Sequence, residues 1–574
     1  MKINRLPFIA FIMMSTSLFS QSELPVVKLQ LGDEPTHPIP EKIFGQFLER
    51  ASFGEPGPEG ICDADGNLDA EALELIQAMK IPVIRFPGGS DIDYIDWRDM
   101  IDHVPGRFGT ERPVTRGMYF SFKDPTNHTI TNNFGWDEYW NLQKTLGNET
   151  IIVLNFLEAC ARKKPLREAA VNHVGILAYC NAPQGADLPE GMPDWPAIRA
   201  ENGHSEPFGA EYVQIGNEWF LDRWEKDVLV GLGLDPGLRG GDVKPTEAQR
   251  QVVAEWMKEC ILTYVRLIRE IDPDIKIIID EGMMFKVDQI VLRDPEIRKE
   301  VGFLAKHFYS PMSSYTLTRE GEDVPVEGIE HPYDYWMRLS AMPGVYTDGM
   351  CMAFNRSGNE YTSLGYKMAY TEWNWNGWGW QKADGQVGFP FRNAVGLGIA
   401  SMYHGFFRDA SATELATQRM LIGKGWDIAA VNYSGRDGAP LHYGAQGQTS
   451  WFYRKHHGAF FLPLTIENHK EHQPLYDLRW HKHSVSQFDA VSTVDDDSVF
   501  VHMINRSFEQ EQTVNLSGFH VAADAEATLY VMLARDEPAD EAYRHFTEEA
   551  QQVTLKDGNF TVPPRSISCL VLKK

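Results

Sequence analysis

The chain has 574 residues, 43% of them hydrophobic and 23% charged, with a formal net charge of −26. That length exceeds one ordinary domain and suits a barrel with a smaller module, in a soluble globular composition. The acidity argues against nucleic acid and against an anionic membrane surface as partners, and makes a strongly acidic substrate unnatural unless a local basic subsite receives it.

In chain order, Lys2 and Arg5, the apolar run Leu6 to Met14 and the small-residue exit Ser15 to Gln21 predict an export signal over 1–20. The run is too short for a permanent span, and no Cys near Ser20 signals a lipid anchor. The chain is therefore expected outside the cytoplasm, periplasmic or extracellular. Within 21–40, Pro25 to Leu31 alternates like a strand and is expected to join a distant β-sandwich.

Over 41–434, apolar strand-like runs alternate with helical stretches. They are the run ending at Glu49, then IPVIRFP (81–87), TIIVLNF (150–156), YVQIG (212–216), IKIIID (275–280), VGFLAKHFY (301–309) and KMAYTE (367–372). Amphipathic helices are expected at Ala70 to Met79 and Thr246 to Ile271. Seven such strands and an eighth expected between Val395 and Asn432 predict an α/β protein with a (β/α)8 TIM barrel. Over 435–574 the texture changes to short alternating runs such as SVFVHMIN (498–505), EATLYVML (526–533) and SISCLVL (566–572). These predict a C-terminal antiparallel β-sandwich.

Barrel strands present their C-terminal ends at one mouth. Polar groups stand at those ends: Glu49, Arg85, Asn155, Asn217-Glu218, Asp280-Glu281, His307, Tyr309 and Glu372. Two carboxylates across a pocket suit a glycosidic bond, one protonating the leaving oxygen while the other attacks the anomeric carbon or activates water. Glu218 is followed by Trp219, and an indole against it would strip water and raise its pKa, as a general acid requires. Glu372 is followed by Trp373, with Trp375, Trp378 and Trp380 close behind, as the wall of a sugar subsite would be. Arg85 is expected to hold Glu372 or another carboxylate ionised, and Glu281 to play a structural part.

Metal readings are weak. In the loop Asp63 to Asp69 the Gly is misplaced for an EF-hand. The histidines at 456, 457, 469, 472, 481 and 483 lack ligand spacing. The cysteines (Cys62, Cys160, Cys180, Cys260, Cys351, Cys569) are scattered without a C-x-x-C pair, which leaves room for one disulfide after export but indicates no framework.

The chain resembles glycoside hydrolase family 51, the α-L-arabinofuranosidase type, in the clan of retaining barrel glycosidases with catalytic Glu on strands four and seven. The resemblance rests on GQFLER around Glu49, MKIPVIRFPGG, YIDWRD (94–99), NNFGWDEYW (132–140), VLNF, AYCN (178–181), QIGNEW, HFY (307–309) and TEWNW, in this order. It implies Glu218 as acid/base and Glu372 as nucleophile of a double displacement. Glu49, Asn155, Asn217, His307, Tyr309 and Trp373 would be substrate-binding neighbours, with Arg85 supporting and no metal or cofactor. The partner implied is a polysaccharide or oligosaccharide, and relatives of this type assemble into hexamers or trimers, so a homo-oligomer is within its scope.

Two departures bear on the sugar. Where the family has an Asn after RFPGG, Ser90 stands here. Where it has a Gln on the last barrel strand, the equivalent is Met420 or Ala429. An insertion is also expected over 310–359. The alternatives are an endo- or exo-glycanase of the same clan on another, for example algal, polysaccharide, and a carbohydrate-binding protein on a dead barrel.

Overall fold

A computed structural model describes residues 24–50, 57–107, 111–116, 129–235, 245–310, 317–320, 322–324, 332–355, 360–375, 392–423, 429–434, 439–473, 477–478, 484–519, 521–522, 524–534 and 546–574. The segment 1–20 lies outside them. Eight parallel strands close a barrel: β1 (Gly45–Phe47), β2 (Val83–Phe86), β3 (Glu149–Leu154), β4 (Tyr212–Ile215), β5 (Lys276–Asp280), β6 (Phe303–Ser310), β7 (Lys367–Trp375) and β8 (Thr413–Arg419). The eighth falls within the predicted window.

The strands are apolar on both faces because both faces are covered. Alternate residues split between two layers. Val83, Ile151, Tyr212, Ile278, Ala305, Ala369 and Leu415, one from each of β2 to β8, plug the barrel interior. Their sequence neighbours Ile84, Ile152, Val213, Ile277, Ile279, Leu304 and Met368 face the helices. Among those helices, Glu247–Ile271 shows how locally the sequence acts. Thr246 Oγ accepts the Gln249 backbone N–H, while the Gln249 side chain accepts that of Thr246, which closes a capping box. Its buried stripe (Val253, Met257, Cys260, Ile261, Tyr264, Ile268) follows the helical period.

The C-terminal part holds two sheets around one core. A seven-stranded sheet runs from Phe488–Val494 and Ser498–Asn505 through Ser566–Lys573 to Glu526–Ala534 and Phe546–Thr554, with Phe460–Leu462 and His37–Pro38 at its other edge. Opposite it stand Leu464–Glu467, Val27–Leu31, Gln512–Gly518 and Asn559–Val562. Val27, Leu29 and Leu31 meet Val501, Leu529 and Leu570 in the shared core. The early strand pairs parallel with Gln512–Gly518, an exception to an otherwise antiparallel arrangement.

The helix Ala445–Lys455 comes after the boundary expected at residue 434, and its buried face lies in the barrel's outer core rather than the sandwich core. Barrel and sandwich are joined through partly buried charge. Arg408 Nη2 donates to Asp489 Oδ1 at 2.6 Å, His404 Nδ1 meets Asp489 Oδ2 at 2.8 Å, and Tyr453 meets His404 Nε2 at 2.8 Å. Burial would raise the Asp489 carboxyl, but Arg408 and His404 outweigh it and hold it far below the usual range. Part of the expected insertion forms a hairpin, Leu317–Arg319 with Glu322–Val324, which pairs with Asp477–Leu478; the helix Pro332–Asn355 follows. No helix among the described residues is long and apolar enough to cross a membrane.

Candidate active site

The barrel mouth brings Glu218 and Glu372 together, with an oxygen of each and a ring nitrogen of His307 all within 4.8 Å of one another. Their routes to this point differ. After β4 the chain turns through Gly216 (φ 71°), where a Cβ would stand 2.2 Å from Trp219 Nε1. Glu218 itself adopts φ 53°. A left-handed non-glycine residue costs about 1–3 kcal/mol and is tolerated where the surroundings hold it. Here they do: Glu218 Oε1 lies 3.0 Å from His307 Nδ1, and Ser90 Oγ donates to Oε2 at 3.2 Å.

Glu372 arrives by a bulge. Ala305 pairs with Ala369, but His307 pairs with Glu372, so β7 carries one extra residue between them. Strict alternation from inward-facing Ala369 would send Thr371 and Trp373 into the mouth. The bulge shifts the phase, so Glu372 faces in. Arg85 Nη1 then donates to its Oε1 at 2.9 Å and the Tyr309 hydroxyl to its Oε2 at 2.7 Å, with His307 Nδ1 at 3.6 Å.

Arg85 is fully buried and organises this floor. It donates also to Gln214 Oε1 (2.9 Å) and Asn217 Oδ1 (2.7 Å) and lies over the Phe47 ring. Burial would raise the Glu372 carboxyl, but His307, Arg85, Arg419 and the Tyr309 hydroxyl outweigh it and hold it at about 2. Burial would lower the His307 imidazole, yet Glu372 and Glu218 raise it. Glu372 is thus a buried carboxylate that stays ionised. The Glu218 side chain is more open, with 17% of its surface exposed against 8%.

Two predicted site residues are placed elsewhere. Trp373, expected on the sugar, is fully buried against Tyr403 and Phe406 in the helix-facing layer, because the bulge that turns Glu372 inward turns it outward. Trp219 likewise packs with Phe156 and Trp224 and does not wall off Glu218. Trp375 is buried, and Trp378 and Trp380 lie outside the described residues. Trp373→Ala should therefore act on stability, costing about 3–5 kcal/mol in urea unfolding, with KM for any sugar unchanged among molecules that fold.

Asn155 is buried at the end of β3, where its Oδ1 accepts the Glu158 backbone N–H. Among the described residues, the buried Asn217 Nδ2 has no hydrogen-bond partner. Glu281 pairs with Lys306. Five cysteines are free thiols, and the Cys351 side chain lies outside the described residues.

Of three further residues at the site, Ser90 and Asp280 were noted in the sequence without a role, and Arg419 was not noted. Ser90 holds Glu218, as above. Arg419, at the end of β8, pairs with Glu49; Met420 and Ala429, the expected equivalents, are both fully buried. Its signal was parity, since Thr417 and Arg419 share the inward face of β8 while Gln418 faces out to Gln46 and Ser450. Asp280 ends β5, buried, with Oδ2 accepting the Trp219 backbone N–H at 2.9 Å.

Burial pushes Asp280 up to about 7, ahead of the lowering by His307. A carboxyl raised on folding binds its proton more tightly in the native state, so stability falls as pH rises from about 4 to 7. Asp280→Asn should flatten part of that decline, by on the order of a few kcal/mol, in urea titrations across the window.

The family described as the alpha-L-arabinofuranosidase 1 domain matches residues 75–228, the stretch from before β2 to beyond Glu218. Over 187 residues the chain is 27% identical to the intracellular exo-α-(1→5)-L-arabinofuranosidase of Halalkalibacterium halodurans, covering 31% of this chain and 31% of that protein. Over 196 residues it is 30% identical to the exo-α-(1→6)-L-arabinofuranosidase of Bifidobacterium longum, covering 33% and 32%. Over these stretches the chain is similar to α-L-arabinofuranosidases.

The matched sequence spans about a third of the length of these curated relatives. In fold the likeness extends further. The α-L-arabinofuranosidase of Thermotoga maritima, solved with arabinose, superposes with a TM-score of 0.68 at 19% identity, covering 96% of this chain and 100% of that one.

Proposed function

We propose that the chain is an exported retaining glycoside hydrolase acting on a plant or algal cell-wall polysaccharide or its oligosaccharides, with α-L-arabinofuranosidase-like activity. One observation carries the reading: carboxylate oxygens of Glu218 and Glu372 lie within 4.8 Å. Oxygens this close suit retaining enzymes, whose two carboxyl groups stand about 5–5.5 Å apart, better than inverting ones, where they stand roughly 6.5–9.5 Å apart to admit a water.

In this mechanism Glu372 Oε attacks the anomeric carbon as Glu218 gives its proton to the leaving oxygen, and the glycosidic C–O bond breaks. Glu218, now a carboxylate, takes a proton from water. That water attacks the same carbon and releases Glu372. Arg85 and Tyr309 keep the nucleophile bare, and His307 lies between the two carboxyls.

A second reading, a glycanase of the same clan on another sugar, is favoured by Ser90 and Arg419, because each changes the groups offered around the two carboxyls. Hydrolysis of aryl α-L-arabinofuranoside beside a panel of other aryl glycosides and algal polysaccharides tests both. The first product should keep its anomeric configuration by NMR; inversion would sink the retaining mechanism. Sequencing the N-terminus of the exported protein tests the signal, with cleavage expected near Ser20.

A further inference from the structure

We propose that Arg419 sets sugar recognition in this site by holding one oxygen of Glu49 and leaving the other to the substrate; the proposal rests on the glycosidase reading above. Both residues are about 2% exposed and close the seam between β1 and β8. Arg419 Nε donates to Glu49 Oε2 at 2.8 Å, and Nη2 approaches the same oxygen at 2.5 Å. Glu49 Oε1 accepts no hydrogen bond among the described residues and is not among the sealed polar atoms. A purely structural pair would satisfy both oxygens, as bidentate arginine–carboxylate pairs do. Here the guanidinium occupies one and so aims the other.

The same arginine is tied to the nucleophile's strand, because Asn374, two residues beyond Glu372, donates its side-chain amide to the Arg419 carbonyl. Glu49 and Glu372 are therefore held at a set spacing by one rigid corner, and a sugar must match that spacing to be gripped and attacked together. Arg419 reaches the sugar through Glu49, so it is a positioning residue. Burial holds Glu49 near about 7 even with this arginine beside it. Arg419 is the main group opposing that rise, so without it still less of the carboxyl would be charged.

The test compares wild type, Arg419→Lys, Arg419→Met and Glu49→Gln, each checked for folding by thermal melting. The substrate is the aryl glycoside that wild type cleaves fastest. Arg419→Met is expected to raise KM by about 10–100-fold, the loss of one charge-assisted hydrogen bond to substrate, with a smaller change in kcat. It should also alter the ranking of glycosides in the panel. Arg419→Lys should recover most of the KM, and the KM of Glu49→Gln should resemble that of Arg419→Met.

An unchanged KM and ranking in folded Arg419→Met would overturn the proposal, as would equal failure of the folded Lys and Met variants. If the Met variant does not fold, the Lys and Gln variants decide by the same criteria. If wild type cleaves nothing, the glycosidase reading fails separately. Calorimetric titration of wild type and variants with L-arabinose, D-xylose, D-galactose and D-glucose then decides: weaker binding in the variants supports the proposal, and equal or absent binding ends it.

Discussion

Glu372→Gln should lower kcat by at least about 10⁴-fold, comparable to removing an enzyme nucleophile elsewhere. The amide matches the carboxylate in shape, so Arg85, Tyr309 and Asn217 should keep their places, and KM should move far less than kcat. The same substitution has a signature in stability. Glu372 is depressed to about 2 from an ordinary value of 4.5. A carboxyl depressed on folding stabilises the native state above its unfolded pKa, and that contribution disappears as pH falls through its folded pKa. The Gln variant should therefore be less stable than wild type at pH 7, by on the order of 3 kcal/mol. The gap should close between pH 4.5 and pH 2. Near-normal turnover by Glu372→Gln would remove the nucleophile assignment outright.

Glu218→Ala should separate substrates by leaving group. A general acid contributes about 10²–10⁴-fold where the departing oxygen needs a proton. Alkyl glycosides and oligosaccharides should lose that much in kcat/KM. Dinitrophenyl glycosides, whose leaving group departs without help, should form the glycosyl-enzyme nearly as fast as before. Their turnover should then stall at the second step, because no base activates water, and a burst of phenolate followed by a slow phase is expected. Added azide should relieve the slow phase by attacking the anomeric carbon without needing a base. Equal losses on both substrate types would contradict the acid role.

Most of the architecture is written in local patterns. β-Branched runs such as Ile151-Ile152-Val153 and Ile277-Ile278-Ile279 favour strands buried on both sides, as they are here, and their alternation with amphipathic helices points to a parallel barrel. The strand-end positions of Arg85, Glu218, His307, Tyr309 and Glu372 follow from the same patterns, since strand ends converge on one mouth. Ser90 lies three residues past Pro87, and its reach to Glu218 follows from no local rule. Arg419 was hidden because its partner Glu49 lies 370 residues away.

What the order of residues decides here is the layering: which runs become strands, where they end, and which polar groups gather at the barrel's mouth. The direction of each side chain at that mouth is a property of the closed barrel. A one-residue bulge in β7 reverses the faces of Glu372 and Trp373, and a left-handed turn re-aims Glu218. Neither the bulge nor the turn can be read from β7 or β4 alone. The register of β7 is set by its pairing with β6 and β8, and the strained turn at Glu218 is held by His307 and Ser90 from elsewhere in the chain.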